Sequence, residues 1–363
     1  MSAPGLPSQA FWKDKCVGIT GHQGFKGAWL CKLLERLGAQ SHGYGQDDRS
    51  PLLYRDLQVA NHSSTEGNIN DHDRFKNWLD ATQPEFLIHL AAQPLVRKSY
   101  LDPLGTFQDN IMGTATVLQA ARDVSSLRTL IIVTSDKVYS NNESGKAFVE
   151  DDRLGGDDPY SASKAATEII ARAMEKSFFQ SPGAPQVHTV RAGNVIGGGD
   201  WATDRLLPDA ARAFASGKQL VIRSPHSIRP WQHVLDPLAG YLKLCENAAE
   251  NKQPTFQAWN FGPSADAAKS VEQVVTKFCS TWGDNAVWAV EDADPLRKES
   301  HLLSVDSSRA SRELGWQPRW GVDEAVKRTA LWYNRLACGA EPAALVESDI
   351  QDFMDETEST SKC

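Results

Sequence analysis

The sequence lacks several features that would lead away from a soluble globular protein. Its six cysteines, at 16, 31, 245, 279, 338 and 363, form no CxxC pair and adjoin no histidine cluster, so no zinc site and no disulfide framework is indicated. No apolar run approaches the roughly 18 residues that a membrane-spanning helix needs. The opening MSAPGLPSQA has no basic-then-apolar signal pattern, and the cytoplasm is the expected compartment. Positive charge is also short: 38 lysines and arginines against 46 aspartates and glutamates give a formal net charge of -8. That balance disfavours nucleic acid or an anionic membrane as a partner, while leaving room for a local basic pocket that holds phosphate. Internal repeats are absent, and low complexity is confined to the ends.

What remains is ordinary globular composition, 41% apolar and 23% charged over 363 residues, long enough for about two domains and a sizeable core. Short apolar runs alternate with helix-period segments: CVGIT, Phe25 to Leu37, FLIHLA, Thr106 to Arg122, TLIIVTS, Ser161 to Ser177. Such alternation predicts an α/β fold, a parallel sheet covered by helices on both faces. Trp29, Leu30, Leu33, Leu34 and Leu37 make one apolar stripe in the first helix, which Gly38 can close with a left-handed cap. After about residue 190 the pattern becomes irregular and richer in Pro, Trp and Arg, as expected of a second lobe. The stretch from Glu347 onward is acidic and reads as a solvated tail or frayed helix.

CVGIT runs into Gly21-His22-Gln23-Gly24-Phe25-Lys26-Gly27. Glycines there allow a tight turn, close approach of backbone to a pyrophosphate and tight packing of helix on strand, with the helix N-terminus facing the anion. This predicts a dinucleotide loop. The bulky His22 can reshape that contact or be a surface histidine. Asp47 and Asp48 follow the second strand, but neither matches cleanly the acidic residue that binds a ribose, so NAD over NADP is a preference only. Asn68-Ile69 and Leu90-Ala91-Ala92-Gln93 fall where later loops pass the adenine and the nicotinamide ribose.

TLIIVTS ends in Thr134-Ser135-Asp136-Lys137, and Tyr160 and Lys164 follow at i and i+4 on one helix face. A tyrosine with an ordinary pKa of ~10 is no base at neutral pH, but a neighbouring ammonium and a nicotinamide charge would lower it. The pair suits deprotonation of a hydroxyl. Asp136 and Lys137 add the acid and base that an elimination needs and a plain oxidation does not.

Together FWKDKCVGITGHQGFKGAWL, HLAAQPLVRKSY, TSDKVY, DPYSASK, VRAGNVIGGGDWATDRLLPD, RPWQHVLDPLAGYL, WNFGPS and ELGWQPRW resemble the CDP-glucose 4,6-dehydratases of the extended short-chain dehydrogenase/reductase family, from Phe11 to about Asn334. The resemblance implies a Rossmann-type doubly wound NAD-binding domain over 11–188 plus 234–262. It also implies a smaller mixed α/β nucleotide-sugar-binding lobe over 189–233 plus 263–341, with flexible tails at 1–10 and 347–363. It implies NAD as cofactor, CDP-glucose as substrate and a homo-oligomer, dimer or tetramer. By the same comparison Tyr160 with Lys164 deprotonates the hydroxyl at carbon 4, Ser135 bonds near that oxygen, Asp136 is the acid and Lys137 takes the base's place. Asn194, Arg205 and Arg229 match the pyrophosphate ligands, Gln93 and Arg97 face the sugar, and Arg297 or His301 closes the pocket. The segment SNNESGKAFVEDDRLGGD is shorter and more polar than the family pattern, which leaves the hexose and nucleotide open. A 4-epimerase, which needs Tyr160 and Lys164 alone, and a non-catalytic dinucleotide sensor are the competing readings.

Overall fold

Seven short segments build one sheet: β1 (Cys16–Thr20), β2 (Gln40–Gly45), β3 (His62–Glu66), β4 (Phe86–His89), β5 (Thr129–Val133), β6 (Gln186–Ala192) and β7 (Gln257–Phe261). They stand in the order β7-β6-β5-β4-β1-β2-β3, and every neighbouring pair is parallel. The computed structural model describes residues 5–46, 53–141, 145–251, 256–263, 268–291 and 303–355.

Side chains alternate across a strand, so a sheet buried on both faces needs near-continuous apolar runs. Leu87, Leu130 and Ile132 pack on one face with Phe75, Trp78 and Val117. Phe86, Ile88, Ile131 and Val133 pack on the other with Trp29, Leu30, Leu33 and Leu238. The polar β3, HSSTE, lies at the sheet edge, where one side needs no apolar cover.

The helix expected from Phe25 spans Phe25–Arg36, and Gly38 caps it at φ 81°. The helix expected over Thr106 to Arg122 is broken: Pro103–Phe107, a π-helical turn at Gln108–Met112, then Gly113–Ala121. Asn110 lies in that turn and spends its side chain on Gln93 O (3.1 Å) and Ser163 Oγ (2.8 Å), tying the segment to the Tyr160 helix, Pro159–Phe178.

Outside the large sheet lie the helices Leu206–Ala215, Val271–Trp282 and Val322–Ala337 and three two-stranded pairs. β6 continues in the large sheet to Ala192, so the boundary expected at 188 falls inside a strand. One apolar cluster runs without a break from Trp29 into Phe214, Phe278 and Trp332.

The described parts of both expected tails, residues 5–10 and 347–355, carry buried side chains. Leu6 is buried, and the Ser8 amide donates to Glu246 Oε1 (2.6 Å), ahead of a helical turn at Gln9–Trp12. At the other end Pro342–Asp355 is a helix whose Val346, Ile350 and Phe353 are buried. Their spacing is an apolar stripe that the intervening acids hid, and two of those acids are matched by Arg328, at 3.3 Å from Asp349 and 2.8 Å from Asp352.

Candidate active site

The sheet order reverses between β1 and β4, and in open parallel sheets ligands bind beyond the carboxyl ends of strands at such a point. The loops after these two strands are stitched together: Thr20 O accepts from the Leu90 amide (3.0 Å) and Thr20 Oγ1 from the Ala91 amide (3.2 Å). Gly21 has φ 70°, and a Cβ there would lie 2.7 Å from Ala91 N. A Cβ on Gly27 would lie 2.4 Å from Gly21 O, so that glycine lets the helix seat on the loop. Gly24 caps the Phe25–Arg36 helix without any side-chain hydrogen bond, and a Cβ on it would meet only Gly21 O at 3.4 Å. The first-turn amides thus face an open approach at a positive helix end, which fits a dinucleotide pyrophosphate.

His22 is neither a surface histidine nor turned toward that approach. It is fully buried, its Nε2 pairs with Ser64 Oγ (2.7 Å), and its ring fills the space above Gly43, where a Cβ would lie 2.3 Å from His22 Cγ. Burial, reinforced by His62, brings its pKa down to about 4, so the ring is neutral. Its side chain serves the packing of β2 and β3 and leaves only its backbone to the loop. Asn68 and Ile69 follow β3, where the Asn68 carbonyl accepts from Tyr44 (3.2 Å). Leu90, Ala91 and Ala92 are half-buried beside Gly21. Gln93 is committed internally: its amide donates to Leu95 O and Thr106 Oγ1 (both 3.0 Å) and its carbonyl oxygen accepts from Leu95 N (2.6 Å).

The residues expected to be catalytic converge beyond β5. Ser135 caps a short 3-10 turn, Asp136–Val138, by accepting from the Lys137 amide (3.2 Å). Asp136 is 2% exposed; its Oδ1 accepts from Ser135 (3.1 Å), and its Oδ2 has no hydrogen-bond partner among the described residues. Burial raises its pKa against the pull of Lys137, Ser135, Arg229 and Lys26. Asp136 is therefore poised to hold a proton beyond the usual carboxyl range.

Tyr160 opens its helix behind the N-cap Asp158, and its amide donates to Ser99 Oγ (3.2 Å). Burial pushes its phenol up to about 12; Ser135 and Arg205 act to lower it, Asp136 and Asp158 to raise it. The lowering expected from Lys164 is not seen: desolvation dominates, and the groups that lower the phenol are Ser135 and Arg205. Lys164 Nζ donates to Val133 O (3.1 Å), and burial together with Lys26 brings its own pKa down to about 7, against Glu168.

Arg205 is held by Asp200 (3.1 Å), whose carbonyl accepts from Tyr333 (2.6 Å). Arg229, which is buried, joins the electrostatic neighbourhood of Asp136. Asn194 follows β6, and its carbonyl accepts from the Gln232 amide (3.0 Å). Arg97 pairs with Asp204. Arg297 and His301 lie outside the described residues.

Sequence reasoning missed Lys26. Half-buried in the first turn of its helix, it lies in the fields of Asp136, Arg205 and Lys164, and burial brings its pKa down to about 8. Its place inside the glycine motif was the available signal.

The family model described as GDP-mannose 4,6 dehydratase matches residues 19–329. The chain belongs to this family. It is 40% identical over 353 residues to a CDP-glucose 4,6-dehydratase of Salmonella typhimurium, covering 96% of this chain and 98% of that one. A dTDP-glucose 4,6-dehydratase of Streptomyces griseus is 27% identical over 259 residues, 70% of this chain and 74% of its own. Among solved structures, dTDP-glucose 4,6-dehydratase from Bacillus anthracis in complex with NAD superposes with a TM-score of 0.75 at 19% identity, covering 92% of this chain and 99% of that chain. UDP-glucose 4-epimerase from Brucella ovis in complex with NAD gives 0.76 at 22% identity, with 88% and 98% covered. These two show the shared fold. Within the family, the sheet, the glycine loop and the Tyr160–Lys164 pair mark an extended short-chain dehydrogenase/reductase.

Proposed function

We propose that the protein is a CDP-glucose 4,6-dehydratase, converting CDP-D-glucose with NAD into CDP-4-dehydro-6-deoxy-D-glucose and water. The observation that carries this reading is Asp136, a buried carboxyl with a raised pKa beside Tyr160. A 4-epimerase has no use for a second proton donor there. The 40% identity, over nearly the full length of both chains, to a relative of that name supports the choice of substrate.

Gly21, His22, Gly24, Phe25 and Gly27 would hold the cofactor pyrophosphate through backbone, Asn68 and Ile69 the adenine, and Leu90, Ala91, Ala92 and Thr134 the strand-end side of the nicotinamide ribose. When bound, NAD supplies the acceptor for the hydrogen of carbon 4 and its return to carbon 6. Given the positive nicotinamide charge of bound NAD to bring its phenol down, Tyr160, with Ser135 and Lys164, would take the proton from the hydroxyl at carbon 4 as the ketone forms. That ketone acidifies the hydrogen at carbon 5, which Lys137 removes as a proton. Asp136 protonates the hydroxyl at carbon 6, which departs as water. Arg205 and Arg229 hold the substrate pyrophosphate by forked hydrogen bonds.

A homo-oligomer acting in the cytoplasm completes the reading. Tyr100, Leu101, Leu104 and Ile169 are exposed on three mutually packed helices, Val96–Leu101, Pro103–Phe107 and Pro159–Phe178, a face suited to a second copy of the chain. A monomer in light scattering at micromolar concentration would refute this part. Among the described residues no helix is long and apolar enough to cross a membrane.

The test is mass spectrometry after incubation with NAD and CDP-glucose deuterated at carbon 4. Loss of one water with deuterium at carbon 6 supports the proposal. An isomer of unchanged mass refutes dehydration, and no conversion refutes CDP-glucose as substrate.

A further inference from the structure

Two sequence motifs, VRAGN and WNFGPS, take little part in the chemistry above, yet the fold carries both to the underside of the catalytic turn. Glu168 shares a helix face with Tyr160 and Lys164, four residues after the lysine. It is buried and both its oxygens are used. Oε1 accepts from Thr134 Oγ1 (2.6 Å) and Arg191 Nε (2.9 Å), while Oε2 accepts from Thr189 Oγ1 (2.6 Å) and Arg191 Nη2 (2.8 Å). The two charged side chains are 2% and 3% exposed and meet as a bidentate fork. Arg191 Nη1 reaches further, donating to the Tyr139 hydroxyl (2.8 Å) and the Glu150 carbonyl (2.9 Å). Tyr139 in turn donates to Asn260 Oδ1 (2.7 Å), and its ring stacks on Phe148 at 4.8 Å.

Thr134 immediately precedes Ser135, and Tyr139 comes just after Val138. One buried ion pair therefore grips both ends of the turn that carries Ser135, Asp136 and Lys137. We propose that Glu168 and Arg191 are positioning residues for the dehydration, clamping that turn to the helix of Tyr160 and Lys164 so that acid and base address neighbouring carbons of one hexose. The proposal rests on the reaction proposed above. A buried pair adds little net stability over apolar residues of similar size, whereas a misplacement of about 1 Å can cost ~10²-fold in rate.

Thr134→Val and Tyr139→Phe each remove one hydroxyl and leave the Glu168–Arg191 pair intact. In each, kcat for dehydration of CDP-glucose should fall about tenfold or more, with KM within about twofold of the parent. Thr134→Ser should restore the rate. Amide hydrogen exchange should quicken in residues 134–139 and stay unchanged in β1 and β4. Parental exchange in that segment in both variants overturns the clamp, as does faster exchange with parental kcat. If the parent protein itself does not dehydrate CDP-glucose while the variants loosen the turn, the reading of the reaction falls and the clamp is upheld.

Discussion

Asp136→Asn is the perturbation that separates the two halves of the proposed chemistry. The side chain is 2% exposed and desolvation, the largest influence on it, favours the neutral acid. Asparagine keeps its volume, carries no charge to desolvate and can still meet the Ser135 hydroxyl, so folding should be nearly unaffected. What it cannot do is give a proton to the hydroxyl leaving carbon 6. General acid catalysis contributes about 10²–10⁴-fold, equivalent to roughly 3–5 kcal/mol of barrier. Oxidation at carbon 4 depends on Tyr160 and should survive. In a single turnover with NAD and CDP-glucose, the absorbance of reduced nicotinamide should therefore rise and persist in the variant, whereas deoxysugar formation falls by that factor. The pH dependence has a definite sign. A raised pKa keeps the acid form present above the usual carboxyl range, so the parent should lose elimination on the alkaline side, and the variant should lack that limb. A variant that makes product within about tenfold of the parental rate would refute the assignment of the acid.

Tyr160→Phe should abolish reduction of NAD by CDP-glucose while leaving the unfolding midpoint close to the parent's; a persisting nicotinamide signal would remove Tyr160 from the first step. Ile350→Ala should cost about 2–5 kcal/mol if Pro342–Asp355 is a packed helix, and an unchanged denaturation curve would return that segment to a tail. Asp236 is fully buried with its pKa pushed up to about 7, chiefly by desolvation. Because the folded-state value lies above the unfolded one, its contribution is complete below pH ~4 and is lost as pH rises through about 7. The stability of Asp236→Asn relative to the parent should therefore rise by on the order of 2 kcal/mol between pH about 5 and about 8, and a difference independent of pH would refute a buried neutral Asp236.

Sequence by itself determined the parallel sheet, the glycine turn, the strand-end TSDK and the Tyr160–Lys164 pair. These are local signals: strand runs, helix periodicity and glycine positions depend on a few neighbouring residues. The long motifs drew attention to Arg205 and Arg229, which the fold brings into the electrostatic neighbourhood of Tyr160 and Asp136. Only the tertiary structure decided how side chains are spent there. Gln93 and His22 look available in the chain, yet one closes its own loop and the other fills the space above Gly43. Lys26 reads as a helix residue, and its entry into the site follows from which strands are neighbours. The acids after Glu347 read as solvated until Arg328, far back in the chain, lies against them. Thr134 meets Glu168 across 34 residues and Arg191 meets Tyr139 across 52. No local rule carries such pairings, because burial and the partner of a polar group are set by what the sheet order brings alongside it.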